Sequence, residues 1–245
     1  MDEQKGGDMR VRSTGEFKDS KLKLLIYGES GNGKTTLAAT CPGKTLIANA
    51  ESGLLSLADH ELDVVDIAQD DNGNIIPKHK RIARLKEIYQ FVLQPEQREK
   101  YDYLVLDSIT EISQCALDEA EYEYPNRSDS LVKFGEVAKT MRSLIKAFRD
   151  IPYYHVVMTA LAIEERGPNG ERYKAVDMVG KISQQCPQFF DEVFYLGIFE
   201  DGEYEGKRYL QTQSSPRAIA KDRSSKLAPL ERADLTHITN KILGG

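Results

Sequence analysis

Residues 27–37 read YGESGNGKTTL, and the reading of this stretch decides the fold. It closes an apolar run, KLKLLIYG (Lys21–Gly28), and opens KTTLAATC, which Pro42-Gly43 stop. An apolar run ending in glycine is a strand signal, and the segment after the loop reads as a helix. Between them, Gly28, Gly33, Lys34 and Thr35 fit the pattern G-x-x-x-x-G-K-[ST]. Each position has a physical reason. Gly28 and Gly33 allow backbone angles that a Cβ forbids, so the loop can turn its amides inward around a phosphate. Lys34 reaches the terminal phosphate oxygens, and the Thr35 hydroxyl ligates Mg²⁺. Glu29, Ser30, Gly31, Asn32 and Thr36 complete the expected cradle. A chance match in a chain of 245 residues is about 1%. No guanine-reading N-K-x-D follows, so the expected nucleotide is ATP with Mg²⁺.

Outward from the loop, strands and helices alternate. KTLIANA (Lys44–Ala50), LDVVDIA (Leu62–Ala68), YDYLVLDS (Tyr101–Ser108) and YYHVVMTALAI (Tyr153–Ile163) read as buried strands. RIARLKEIYQFVL (Arg81–Leu93) has helical spacing, as do two segments near Ile109–Tyr122 and Leu131–Phe148. KRYLQTQSS and PRAIAKDR give a β-rich end, and PLERADLTHITNKIL reads as a closing helix. The expected fold class is α/β: a mainly parallel sheet covered by helices, with antiparallel strands at the C-terminal edge. Residues 1–20 are expected to form a disordered arm, and 21–245 a single domain.

The formal net charge of −6 argues against coating nucleic acid by bulk charge, though not against a local basic groove. The three cysteines and four histidines are scattered, with no metal-like spacing. No run approaches the length of a membrane helix, and the first residues carry no apolar leader core. A cytoplasmic protein without membrane contact is expected.

Asp107 ends the apolar strand YLVL, at the sheet edge where ligands bind, and is the expected second metal-side group. Ser108, not a glutamate, follows it. The carboxylate that polarises water is therefore sought elsewhere, and Glu51, ending TLIANA on a strand expected near the phosphate-loop strand, is the candidate base.

With GESGNGKTTL, ANAESG, YLVLDSIT and AKDR in this order, the chain resembles the RecA-like ATPases. It looks closest to the short phage-encoded, Sak-type single-strand annealing recombinases. The likeness covers roughly Lys21 to Lys226. It implies an oligomer with nucleotide at subunit interfaces, single-stranded DNA as partner, and a single-strand binding protein as a possible accessory. It implies Thr159 as a γ-phosphate sensor, and Lys221 and Arg223 as cations reaching a neighbouring subunit's nucleotide. It places a DNA-contacting loop at Glu164–Met178, where Arg166, Arg172 and Lys174 would touch phosphates and Tyr173 would stack on a base. Two other readings stay open: a P-loop kinase of a small metabolite or nucleotide, with Arg166 and Arg172 on a lid, and a nucleotide-gated module that does not hydrolyse.

Overall fold

The computed structural model describes residues 13, 21–51, 53–126, 128, 130–199 and 205–244. The arm expected over residues 1–20 thus lies outside the described residues, Ser13 excepted. In chain order the elements are β1 (Lys23–Gly28), α1 (Lys34–Ala38), β2 (Thr45–Asn49), β3 (Asp63–Asp66), α2 (Arg81–Val92), α3 (Pro95–Lys100), β4 (Tyr103–Asp107), α4 (Ile109–Glu123), α5 (Ser130–Arg149), β5 (His155–Arg166), β6 (Arg172–Val176), α6 (Ile182–Gln185), β7 (Glu192–Ile198), β8 (Arg208–Gln211), β9 (Lys221–Asp222), β10 (Leu230–Arg232) and α7 (Leu235–Leu243).

One sheet runs β10-β8-β7-β1-β5-β4-β2-β3, with β6 added to β5 and β9 to β7. β7, β1, β5, β4, β2 and β3 are mutually parallel. β6, β8 and β9 pair antiparallel to their neighbours. The fold class is the expected α/β one, a mainly parallel sheet covered by helices with antiparallel strands at the C-terminal edge. Its central strands are apolar on both faces because both are covered. Period-2 alternation then sorts side chains between two cores. Leu25, Tyr27, Leu104 and Leu106 join Leu85, Ile112, Met141 and Phe148 of α2, α4 and α5 on one face. Leu24, Ile26, Tyr103 and Val105 join Leu37, Leu235 and Ile238 of α1 and α7 on the other. His155 packs as a neutral ring: it stacks on Tyr103, its Nδ1 accepts Leu22 N–H (3.1 Å), and burial pushes its pKa down to about 4. Among the described residues, no helix is long and apolar enough to cross a membrane.

Three expectations need correction. β2 is not beside β1; β5 and β4 lie between them. Leu230–Arg232 is a strand paired to β8, and the closing helix starts only at Leu235, where the Asp234 carboxylate accepts His237 N–H (3.0 Å). β5 runs three residues past Ile163, to Arg166, and β6 returns along it, so of the two forms open to Glu164–Met178, polar loop or open hairpin, it takes the hairpin.

Gly28 is required by close approach rather than by the backbone angles expected of it; the positive φ belongs to Gly31 and Gly33. A Cβ at Gly28 would lie 2.5 Å from the Leu196 carbonyl oxygen on β7. We expect Gly28→Ala to force backbone apart at the sheet centre and cost about 1–3 kcal/mol, read as a lower urea midpoint at unchanged m-value.

Candidate nucleotide site

The site gathers at the carboxyl ends of β1, β4, β2 and β5. Gly31 (φ 81°) and Gly33 (φ 89°) hold left-handed backbone, so the loop can fold back before α1 begins. Asn32 pins it to the sheet, its Nδ2 donating to Leu196 O (3.1 Å). Lys34 is buried, and its Nζ donates to Gly28 O (2.9 Å) and Glu29 O (3.0 Å). Burial lowers its pKa, while Glu51 and Asp107 oppose that shift. The charged ammonium is thus held by loop carbonyls and by two acids ahead of it.

Those acids come from different strands. Asp107, buried at the end of β4, accepts from Thr35 Oγ1 at its Oδ2 (2.7 Å) and from Thr159 Oγ1 at its Oδ1. Thr159 sits on β5, the strand between β1 and β4. The carboxylate is therefore fixed from two sides and joined directly to the phosphate loop. It does not cap α4; Ser108 does, accepting Glu111 N–H (3.4 Å). The same Ser108 Oγ donates to Glu51 Oε1 (2.5 Å). Glu51 thus reaches the site through the end of β4, although β2 is three strands from β1. Ala50 N–H to Asp107 O (2.7 Å) ties the two strand ends together. The paired hydroxyl and carboxylate of Thr35 and Asp107 are hard oxygen donors, which suits Mg²⁺ completed by phosphate and water.

On the other side of β1, a cavity of about 480 Å³ opens against Gly33 and Thr40, which flank α1, Thr36 of α1, Leu196 of β7 and Arg208 of β8. Arg208 crosses over Gly33: a Cβ there would lie 3.3 Å from its Nε. No motif in the sequence signals Arg208; strand pairing alone brings it here.

The remaining candidates lie apart. Arg166, Arg172, Tyr173 and Lys174 are on the β5–β6 hairpin, and three of them are engaged. Arg172 pairs with Glu164 (3.0 Å), Tyr173 OH donates to Glu165 (2.9 Å), and Lys174 pairs with Glu29 of the phosphate loop (2.6 Å). Tyr27 OH adds a second tie from β1, donating to the Lys174 and Ile219 carbonyls. Lys221 and Arg223 stand at the opposite sheet edge. β9 pairs with Glu192 and Val193 at the start of β7, whereas Gly28 faces Leu196, about 13 Å further along. Lys221 Nζ donates to Pro187 O (2.9 Å), and Arg223 pairs with Asp191 (2.9 Å). These two cations do not reach the phosphate loop of their own chain.

The AAA domain family profile matches residues 20–224, which takes in the phosphate loop, Glu51, Asp107 and Thr159. The chain belongs to the AAA domain family. None of the curated proteins matches it. Among solved structures it is similar to a prototypical ATPase from the type III secretion system of pathogenic bacteria, at 16% identity and TM-score 0.46. That alignment covers 73% of this chain and 52% of the other, so this AAA domain chain spans about half the length of that ATPase. It is also similar to a KaiC-like protein of the hyperthermophilic archaeon Pyrococcus horikoshii OT3, at 15% identity and TM-score 0.40, covering 78% of this chain and 77% of that one. The family carries a P-loop ATPase fold, and nucleotide is its expected ligand.

Proposed function

We propose that this AAA domain protein binds Mg²⁺-ATP, hydrolyses it, and couples the cycle to single-stranded DNA in recombination, by annealing or strand exchange. The observation that carries the ATPase reading is the meeting of two hydrogen-bonded groups, Thr35–Asp107–Thr159 and Ser108–Glu51, at adjacent residues of the β4 end, with both acids acting on Lys34. On nucleotide binding, Lys34 exchanges the Gly28 and Glu29 carbonyls for phosphate oxygens. Mg²⁺ held by Thr35 and Asp107 would supply charge neutralisation on the phosphates. Glu51, oriented by Ser108, accepts the proton of the attacking water. Thr159 holds Asp107 in register with the terminal phosphate. Acids lie on the β4 side of β1 and the cavity on the β7 side, so the terminal phosphate points toward β4 and the ribose and base enter beside Thr36 and Arg208.

The DNA reading is supported by one contact, the Lys174–Glu29 pair, which ties the candidate DNA hairpin to the phosphate loop. Lys221 and Arg223, distant from their own site, suit a role on a neighbouring subunit's phosphates, which makes hydrolysis depend on assembly.

The test measures ATPase rate and particle size together, with and without single-stranded DNA. We expect slow turnover alone, a rise of roughly tenfold or more with DNA, and larger particles with ATP. No DNA affinity at low salt, with and without ATP, removes the DNA role. A monomer that phosphorylates a small acceptor makes the protein a kinase instead.

A further inference from the structure

Glu192, the first residue of β7, is 2% exposed. Its Oε1 accepts Ser224 N–H (3.1 Å), but its Oε2 is buried and meets no donor. Directly across the antiparallel pair stands a second acid, Asp222 of β9. Asp222 spends its own lone pairs on the turn that follows it. Its Oδ1 accepts from Ser224 Oγ (2.6 Å) and Ser225 N (3.0 Å), and its Oδ2 from Leu227 N (3.0 Å). Two ionised carboxylates facing each other in a buried strand pair repel, and an orphaned buried oxygen is costly. One proton removes both faults, since a protonated Glu192 donates from Oε2 to Asp222.

We propose that Glu192 is a positioning residue: it shares one proton with Asp222, and that proton clasps the Lys221–Leu227 turn, with Lys221 and Arg223, onto β7. Burial, and next the charge of Asp222, push the Glu192 carboxyl up to about 8. The surrounding charges do not replace the proton. Lys221 is turned to Pro187 O, with its pKa lowered by burial, and Arg223 is turned to Asp191. On neighbouring β1, Lys23 donates to the Ile151 and Tyr154 carbonyls; burial lowers its pKa to about 8, and Asp150, Asp191, Lys21 and Arg149 are the charges around it. The folded pKa of Glu192 lies above that of a free carboxyl, so the native state holds the extra proton. Its stabilising effect is complete at low pH, declines relative to the unfolded chain from about pH 4.5, and is lost as pH rises through about 8, where the turn loosens.

The clasp stands on its own geometry; its bearing on turnover rests on the proposed role of Lys221 and Arg223 in a neighbouring subunit. Amide exchange of the 222–228 segment, corrected for intrinsic rates, tests it between pH 6.5 and 9.5. Protection in the natural chain is expected to fall roughly tenfold from pH 7 to 9. In Glu192→Gln the side-chain amide donates to Asp222 at every pH, so protection stays flat. A flat natural chain overturns the proposal. So does a fall that persists in Glu192→Gln, because Lys23 then carries it. DNA-stimulated ATPase is followed in parallel. If exchange behaves as expected but the two pH–rate profiles coincide, the clasp stands and the role of Lys221 and Arg223 in turnover falls.

Discussion

Glu51→Gln is expected to bind ATP as the natural chain does and to turn it over about a thousandfold more slowly. The substitution suits the site because it keeps the geometry. Ser108 Oγ donates to Glu51 Oε1, and a glutamine oxygen accepts that bond equally well. What is lost is the negative charge and the capacity to take a proton from water. A general base supplies about 10²–10⁴ of rate, so the loss belongs in kcat while nucleotide affinity is retained. Steady-state ATPase beside titration with a fluorescent ADP analogue separates the two. An unchanged kcat above background removes Glu51 from the mechanism and favours a module that only binds.

Lys34→Ala is expected to abolish the stabilisation that ATP gives. The natural chain at 100-fold excess over Kd gains about 2.7 kcal/mol, which in a domain of this size raises Tm by about 5–10 °C. The variant should show no shift at the same ATP and Mg²⁺ concentrations. Its unliganded stability should change much less. Lys34 is a buried ammonium whose desolvation already lowers its pKa, so its removal relieves that cost as it strips the hydrogen bonds to Gly28 and Glu29. Differential scanning fluorimetry with and without ATP reads both quantities. An undiminished ATP shift in Lys34→Ala would mean that the glycine loop is not the phosphate cradle.

The two variants probe opposite kinds of legibility. The demands of the cradle are local: glycines where φ is positive, a lysine and a hydroxyl on the next turn. Such demands are met within one stretch of chain, and so the positive φ of Gly33 could be read directly, whereas Gly28 answers to Leu196 on distant β7. The parallel core was legible for a similar reason, since doubly covered strands leave continuous apolar runs. Leu230–Arg232 misled because three residues carry no period. There Glu231, buried and held by Ala228 N–H, Lys241 and His237, belongs to pairing with β8 rather than to the helix that follows.

By itself the sequence determined that a strand, a glycine loop and a helix follow one another, and that an acid ends a later buried strand. Only the tertiary structure decided which strands are neighbours. Alternation tells a side chain which face to take, not which strand to lie beside. Order within the sheet comes from crossover connections and the packing of distant helices, and no short stretch encodes it. That order sets Thr159 against Asp107, carries Glu51 to the site by way of Ser108, lays Arg208 over Gly33, and places Lys221 and Arg223 at the far edge beside the buried Glu192.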